Sequence, residues 1–128
     1  FAVGNSFTTG DTASHATLWN VNSGSVTDLG TLGGIDSNAL AINAAGQIAG
    51  WSYLAGDFAQ HATFWDGAAL TDLDTLGGTN SQALALNNSG QIVGWSELAD
   101  GSQHATLWNG TSLIDLNSLL DPALVSAG

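Results

Sequence analysis

The chain has no lysine and no arginine among its 128 residues, against eleven acidic residues, so its formal charge is −11. Side-chain ion pairing therefore cannot hold the fold, because the only cationic candidates are three histidines. Burial and backbone hydrogen bonding have to do it instead. Nucleic acid is excluded as a partner, since phosphate binding relies on Lys or Arg to displace counterions. Attraction to anionic membranes fails for the same reason. Cysteine is absent, which rules out disulfides and thiolate metal sites. No apolar run approaches the ~20 residues of a membrane helix, and no signal peptide stands at the start. No sustained 3.6-residue period occurs, so almost no helix is expected. The exception is one turn over 118–125, where Leu119, Leu120, Leu124 and Val125 surround Pro122, the only proline.

What the chain does have is repetition. His15 to Gly34 reads HATLWNVNSGSVTDLGTLGG, His61 to Gly78 reads HATFWDGAALTDLDTLGG, and HATLWNGTSLIDLNSLL follows from His104. The histidines are 46 and then 43 residues apart. The three-residue difference lies in turns, which leaves strand register intact. Within one period four short strands are expected. Ala39–Asn43 (ALAIN) alternates apolar faces and is matched by Ala83–Asn87. Asn43-Ala44-Ala45-Gly46 and Asn87-Asn88-Ser89-Gly90 then form tight hairpins, with Gly taking the positive φ. The second strand is Gln47–Ser52, matched by Gln91–Ser96 and Phe1–Ser6. The third is His61–Trp65, followed by Asp66-Gly67 (Asn109-Gly110 downstream), a hairpin signal. The fourth is Leu70–Leu73, matched by Val26–Leu29 and Leu113–Leu116. Gly33-Gly34 and Gly77-Gly78 are expected to break the chain before the next first strand.

Four antiparallel strands every ~40–50 residues describe a propeller blade. The expectation is an all-β array of four-stranded antiparallel blades, β-propeller-like and partial or completed by oligomerisation. An open β-solenoid or stacked-sheet array is the alternative. The units are 1–34, lacking its first strand, then 35–78 and 79–120. A tail over 121–128 leads toward a further strand, since Ser126 lies as far past Leu116 as Ala39 lies past Leu29. The opening FAVGNS starts mid-pattern, which reads as a processed piece or a segment of a longer protein. Trp19, Trp51, Trp65, Trp95 and Trp108 are expected to pack blade against blade. Each buries on the order of 150–250 Å².

The recurring polar set is Asp11 with His15, Asp57 with His61 and Asp100 with His104, always four residues apart. That spacing lets a loop carboxylate accept from an imidazole N–H. Recurrence in every repeat favours a structural clamp over catalysis, which needs one site. Asp28, Asp72 and Asp115 in the fourth strands, and Asp36 beside Gly-Gly, are candidate Ca²⁺ ligands, because that ion takes carboxylate and carbonyl oxygens. No twelve-residue calcium loop, GxSxG, P-loop or HExxH is present. No catalytic residue is assigned.

Laid out in this way, the repeat resembles the HAF repeat, described as an extracellular repeat of bacterial proteins. The matching residues are HATLW at His15, DLGTLGG at Asp28, SNALAIN at Ser37 and GQIAG at Gly46. HATFW at His61, DLDTLGG at Asp72, SQALALN at Ser81 and GQIVG at Gly90 repeat them. Thr17, Thr63 and Thr106 stand where that family's name-giving Phe stands, and NSLLDP replaces its Gly-Gly ending in the third copy. The resemblance implies an exported bacterial protein and supplies no catalytic residues. The expected role is extracellular structural or adhesive assembly through exposed strand edges, in a filament or surface layer, with self-association as the partner. A carbohydrate-binding surface, using Trp or Tyr53 with loop carboxylates and Ca²⁺, is the second reading, and an enzyme the third.

Overall fold

The computed structural model describes residues 1–119 except Thr9, Asp11, Ala68 and Thr111. It is all-β and forms three antiparallel sheets in chain order. The first contains β1 (Ala2–Phe7), β2 (Ser14–Asn20) and β3 (Ser25–Asp28). The second contains β4 (Gly33–Ile42), β5 (Ile48–Leu54), β6 (Gln60–Asp66) and β7 (Ala69–Asp72). The third contains β8 (Gly77–Leu86), β9 (Gln91–Leu98), β10 (Gln103–Asn109) and β11 (Ser112–Asp115). In each sheet neighbours in sequence are neighbours in space, so every connection within a sheet is a hairpin. A single 3₁₀ turn, Leu116–Leu119, ends the described chain. The helical turn expected over 118–125 otherwise lies outside the described residues, as does the tail over 121–128.

The hairpins follow from their sequences. Gly46 N donates to Asn43 O at 3.0 Å, and Asn43 Oδ1 accepts from the amides of Ala45 and Gln47. Gly46 sits at φ +81°, where a side chain would be strained.

The Gly-Gly pairs do not break the chain. They open the longest strands, β4 and β8, which start six residues before the expected ALAIN and ALALN. Gly33 and Gly77 take φ of +107° and +110°, and a Cβ on Gly34 would collide with Tyr53 and the Leu54 carbonyl. Glycine there lets a strand begin in a cramped position. Register shifts follow between Ala39 and Ala41, and between Ala83 and Ala85.

The sheets stack face to face, and the core lies between them. Ala16, Ala39, Ile48 and Trp65 fill the space between first and second sheets, flanked by Val3, Leu18, Leu29 and Ile42. Ala49, Ala62, Ala83, Ile92 and Trp108 fill the space between second and third, flanked by Phe64, Leu73, Leu86 and Leu113. Each interface combines one Trp with several alanines, so small side chains let the sheets approach and the indole fills what remains. Trp65 and Trp108 are both 2% exposed. Trp19, at the same strand position in the first sheet, is half-buried, with no described sheet against its face. Trp51 and Trp95 are also half-buried. The expectation that all five pack between sheets is corrected: Trp65 and Trp108 lie in the two cores, while Trp51 makes an edge-to-face contact with Tyr53 at 5.6 Å.

Candidate functional site

His61 and His104 form no hydrogen bond with the carboxylates four residues before them, Asp57 and Asp100. His15 Nδ1 donates to Asp28 at 2.8 Å, His61 Nδ1 to Asp72 at 2.8 Å, and His104 Nδ1 to Asp115 at 2.7 Å. The reason is hairpin register. Asp28 lies opposite Thr17, Asp72 opposite Thr63 and Asp115 opposite Thr106, so each Asp is diagonal to the His two residues earlier. The clamp joins third strand to fourth.

The loop carboxylates have other tasks. Asp57, at φ +59°, accepts from the Ile35 amide at 2.7 Å and pins its loop to the start of β4. Asp100 accepts from the amide and hydroxyl of Ser102 at 2.9 and 2.6 Å. Those two bonds, the hydroxyl's first, hold its carboxyl below the usual range. Asp115 is held low in the same way, chiefly by the His104 imidazole. Asp11 lies outside the described residues.

As acid–base chemistry the dyads are incomplete. The carboxylate orients each ring through Nδ1, but among the described residues no hydroxyl bonds to a histidine Nε2. The adjacent threonines are engaged elsewhere: Thr17, Thr63 and Thr106 donate to the carbonyls of His15, His61 and His104 at 2.8–3.0 Å. A hollow of about 100 Å³ beside His15 and Asp28 is bordered by Ser6, Phe7 and Val26.

The candidate calcium ligands are not gathered. Asp28, Asp72 and Asp115 stand one per sheet, and Asp36 Oδ1 accepts from the Ser14 amide at 2.8 Å. Among the described residues no group of three His, Asp or Glu side chains could hold a metal ion. No described helix is long and apolar enough to cross a membrane.

The serines that lock the sheets were not singled out by the motif, and Asp36, expected as a Ca²⁺ ligand, works beside one of them instead. Ser37, 1% exposed, accepts from the Ala16 amide at 2.9 Å and donates to the Gly30 carbonyl at 2.6 Å. Ser81 repeats this with the Ala62 amide (2.8 Å) and the Asp74 carbonyl (2.7 Å). Beside them Asp36 takes the Ser14 amide and Asn80 the Gln60 amide at 3.1 Å. These amides need partners because β3 and β7 have four residues and β2 and β6 have seven. The uncovered end of the longer strand is capped by the next sheet's first strand. A Ser at one fixed place in each SNALAI/SQALAL copy is the signal that could have found them.

The two ends of the stack differ from its interior. Ala16 and Ala62 are fully buried, but Ala105, their counterpart in β10, is exposed. Ala49 is fully buried, but its counterpart Val93 is 42% exposed. At the other end, Val26 beside Trp19 is 60% exposed. No protein-family model, no curated protein and no solved structure matches this chain.

Proposed function

We propose that this chain is a run of β-propeller-type blades serving as an extracellular structural or adhesive scaffold, which assembles through its uncovered end faces and strand edges. The observation that carries the reading is the unequal burial of equivalent positions. The face that buries Ala16, Ala49 and Ala62 inside the stack is presented bare by the third sheet as Val93 and Ala105. An apolar sheet face next to unpaired edges favours association with a further sheet. The heterologous order of the stack, forward face on back face, extends into a ring or a filament. The HAF resemblance supports the extracellular setting.

The test is sedimentation velocity of the full chain across a concentration series. Wild type should form oligomers, and Val93→Asp should reduce them to monomer without lowering the melting temperature, because Val93 touches no interior sheet. Wild type that stays monomeric at the highest concentration would sink the proposal.

A further inference from the structure

The same groove occurs at both internal interfaces. Between the first and second sheets, Thr27, Asp28 and Leu29 of the one stand against Trp65 and Gly67 of the other, around an open volume of about 460 Å³. Between the second and third, Asp72, Leu73 and Asp74 stand against Trp108, Ser112 and Leu113 around about 380 Å³. Both volumes fall within the ~300–1,000 Å³ of small-ligand sites. The lining combines apolar side chains with carboxylate. Trp65 and Trp108 are each 2% exposed, and the Nε1 of each is buried without a hydrogen-bond partner among the described residues. A buried N–H without an acceptor is costly, and an acceptor entering the groove is what each indole lacks.

The two grooves differ at one position. Gly30 and Asp74 are equivalent: each follows an Asp-Leu pair, and the carbonyl of each accepts from the serine that locks the sheets, Ser37 or Ser81. Both have positive φ, +77° and +67°. That region disfavours any side chain, and Gly30 shows that the turn needs none. The Asp74 carboxylate accepts only the amide of its neighbour Thr75, at 2.8 Å, among the described residues. It adds a charge to the groove next to Asp72, whose carboxylate already orients the His61 ring.

We propose that the groove between the second and third sheets binds a lysine side chain of a basic partner polypeptide. Charge selects the occupant: the chain carries −11 and has no lysine or arginine, so it attracts cations and cannot supply this side chain from a second copy. The four-carbon stem packs on Leu73, Leu113 and Trp108, and the ammonium donates to Asp72, Asp74 and the Ser112 hydroxyl. A peptide carbonyl supplies the acceptor that the Trp108 Nε1 lacks. The combination of cation, apolar stem and carbonyl favours a polypeptide over a neutral or amine-bearing sugar, which has no such stem. The groove at Trp65, with Gly30 in place of Asp74, is the weaker copy. The site goes beyond the assembly reading and does not depend on it.

The probe is the blocked peptide acetyl-Gly-Gly-Lys-Gly-Gly-amide, titrated into the full chain at physiological salt, which screens diffuse attraction. Two-dimensional NMR of the amide and indole N–H groups follows it. Saturable shifts of the Trp108 indole and of the Asp74 and Ser112 amides are expected, and none with norleucine in place of lysine. Asp74→Gly keeps the fold, since Gly30 shows that glycine suits this turn, and weakens binding about threefold to fivefold, the effect of one exposed ion pair. Asp36→Asn removes the same charge outside the groove, keeps the acceptor that Asn80 provides in the next repeat, and changes affinity less than about 1.5-fold. Gly30→Asp, whose Cβ meets nothing within 4 Å, gives the Trp65 groove its second carboxylate and raises affinity there by the same threefold to fivefold. It serves alone should Asp74→Gly melt below wild type. Equal affinity of wild type, Asp74→Gly and Gly30→Asp overturns the proposal. So does an equal loss with Asp36→Asn, which would mean diffuse attraction to the whole chain. Shifts at the same groups with the norleucine peptide would remove the cation from the site, and shifts with cellobiose but not the lysine peptide would make it a glycan site instead.

Discussion

Ser37→Ala is the sharpest test of how the sheets are joined. The substitution removes one oxygen from a side chain 1% exposed and leaves almost no cavity, so its effect is polar rather than steric. It deprives the Ala16 amide of its acceptor at 2.9 Å in a dry interface, which costs about 1–3 kcal/mol for an unsatisfied buried donor. The Gly30 carbonyl, partly exposed, loses its 2.6 Å donor but can turn to water, which costs about 0.5–1 kcal/mol. Together these give roughly 2–3 kcal/mol, a large share of the ~5–15 kcal/mol that domains typically have. At about 3–6 °C per kcal/mol for this length, the melting temperature should fall by roughly 6–18 °C. Ser81→Ala should cost the same, because its two bonds are equivalent in length. The two sites share no partner, so the double variant should show the sum. Urea titration followed by tryptophan fluorescence reads this out, with exposed Ser23→Ala as a control expected within ~0.5 kcal/mol. Losses below ~0.5 kcal/mol for both core serines would mean that water satisfies the freed amides, and that apolar contact alone joins the sheets.

Trp65→Ala should cost about 3–5 kcal/mol and Trp19→Ala less than ~1.5, because only the former is enclosed by a neighbouring sheet. Equal losses in denaturant would contradict the unequal burial. Trp65→Phe should cost less than ~1.5 kcal/mol, since the Trp65 Nε1 is buried with no acceptor among the described residues and its loss removes that penalty. The His104–Asp115 pair predicts a pH effect. The Asp115 carboxyl is held below its ordinary value, so its stabilisation is fully present above about pH 4, the unfolded value, and disappears as pH falls through the lower folded value. Asp115→Asn should therefore melt below wild type at pH 6, with the gap closing by about pH 2. A gap of constant size between those limits would remove the dyad as its cause.

The all-β class and most hairpins were legible because they depend on local chemistry. Asn-x-x-Gly and Asp-Gly fix a turn wherever they occur, and apolar alternation fixes a strand. The expected third and fourth strands differ from the observed ones by about one residue at each end. The histidine's partner was legible in principle and misread. Counting back across the Asp66-Gly67 hairpin places Asp72 beside His61, whereas spacing along the chain favoured Asp57. Sequence proximity was the weaker guide, since a loop carboxylate is drawn to the amides of its own turn, as Asp100 is to Ser102. The Gly-Gly pairs were misread because glycine ends strands and also begins them where a backbone passes closely. Only the neighbouring Tyr53 and Leu54 decide between these. The tryptophans were treated alike because the repeat makes them alike. Their burial depends on whether another sheet is present, which no single repeat encodes.

A chain without lysine or arginine has few ways to make a specific contact between sheets, and this one uses backbone amides. Each internal interface sets a Ser hydroxyl and an Asp or Asn side-chain oxygen against two N–H groups left over where a seven-residue strand outruns a four-residue partner. Such a lock needs no cation, and any sheet with the same mismatch of strand lengths can receive it. β10 and β11 have that mismatch again, with seven residues against four. The amides of Gln103 and Ala105 are then in the position of those of Ser14 and Ala16, and no described side chain caps them. Among the described residues, the third sheet thus leaves uncovered both halves of the interior contact, an apolar face and strand amides in position for an Asp/Asn-Ser pair. In the assembly proposed above, repulsion at −11 opposes the approach of another acidic sheet, so association should rise as the carboxylates are protonated, and sedimentation that does not change between about pH 7 and pH 3 would contradict it.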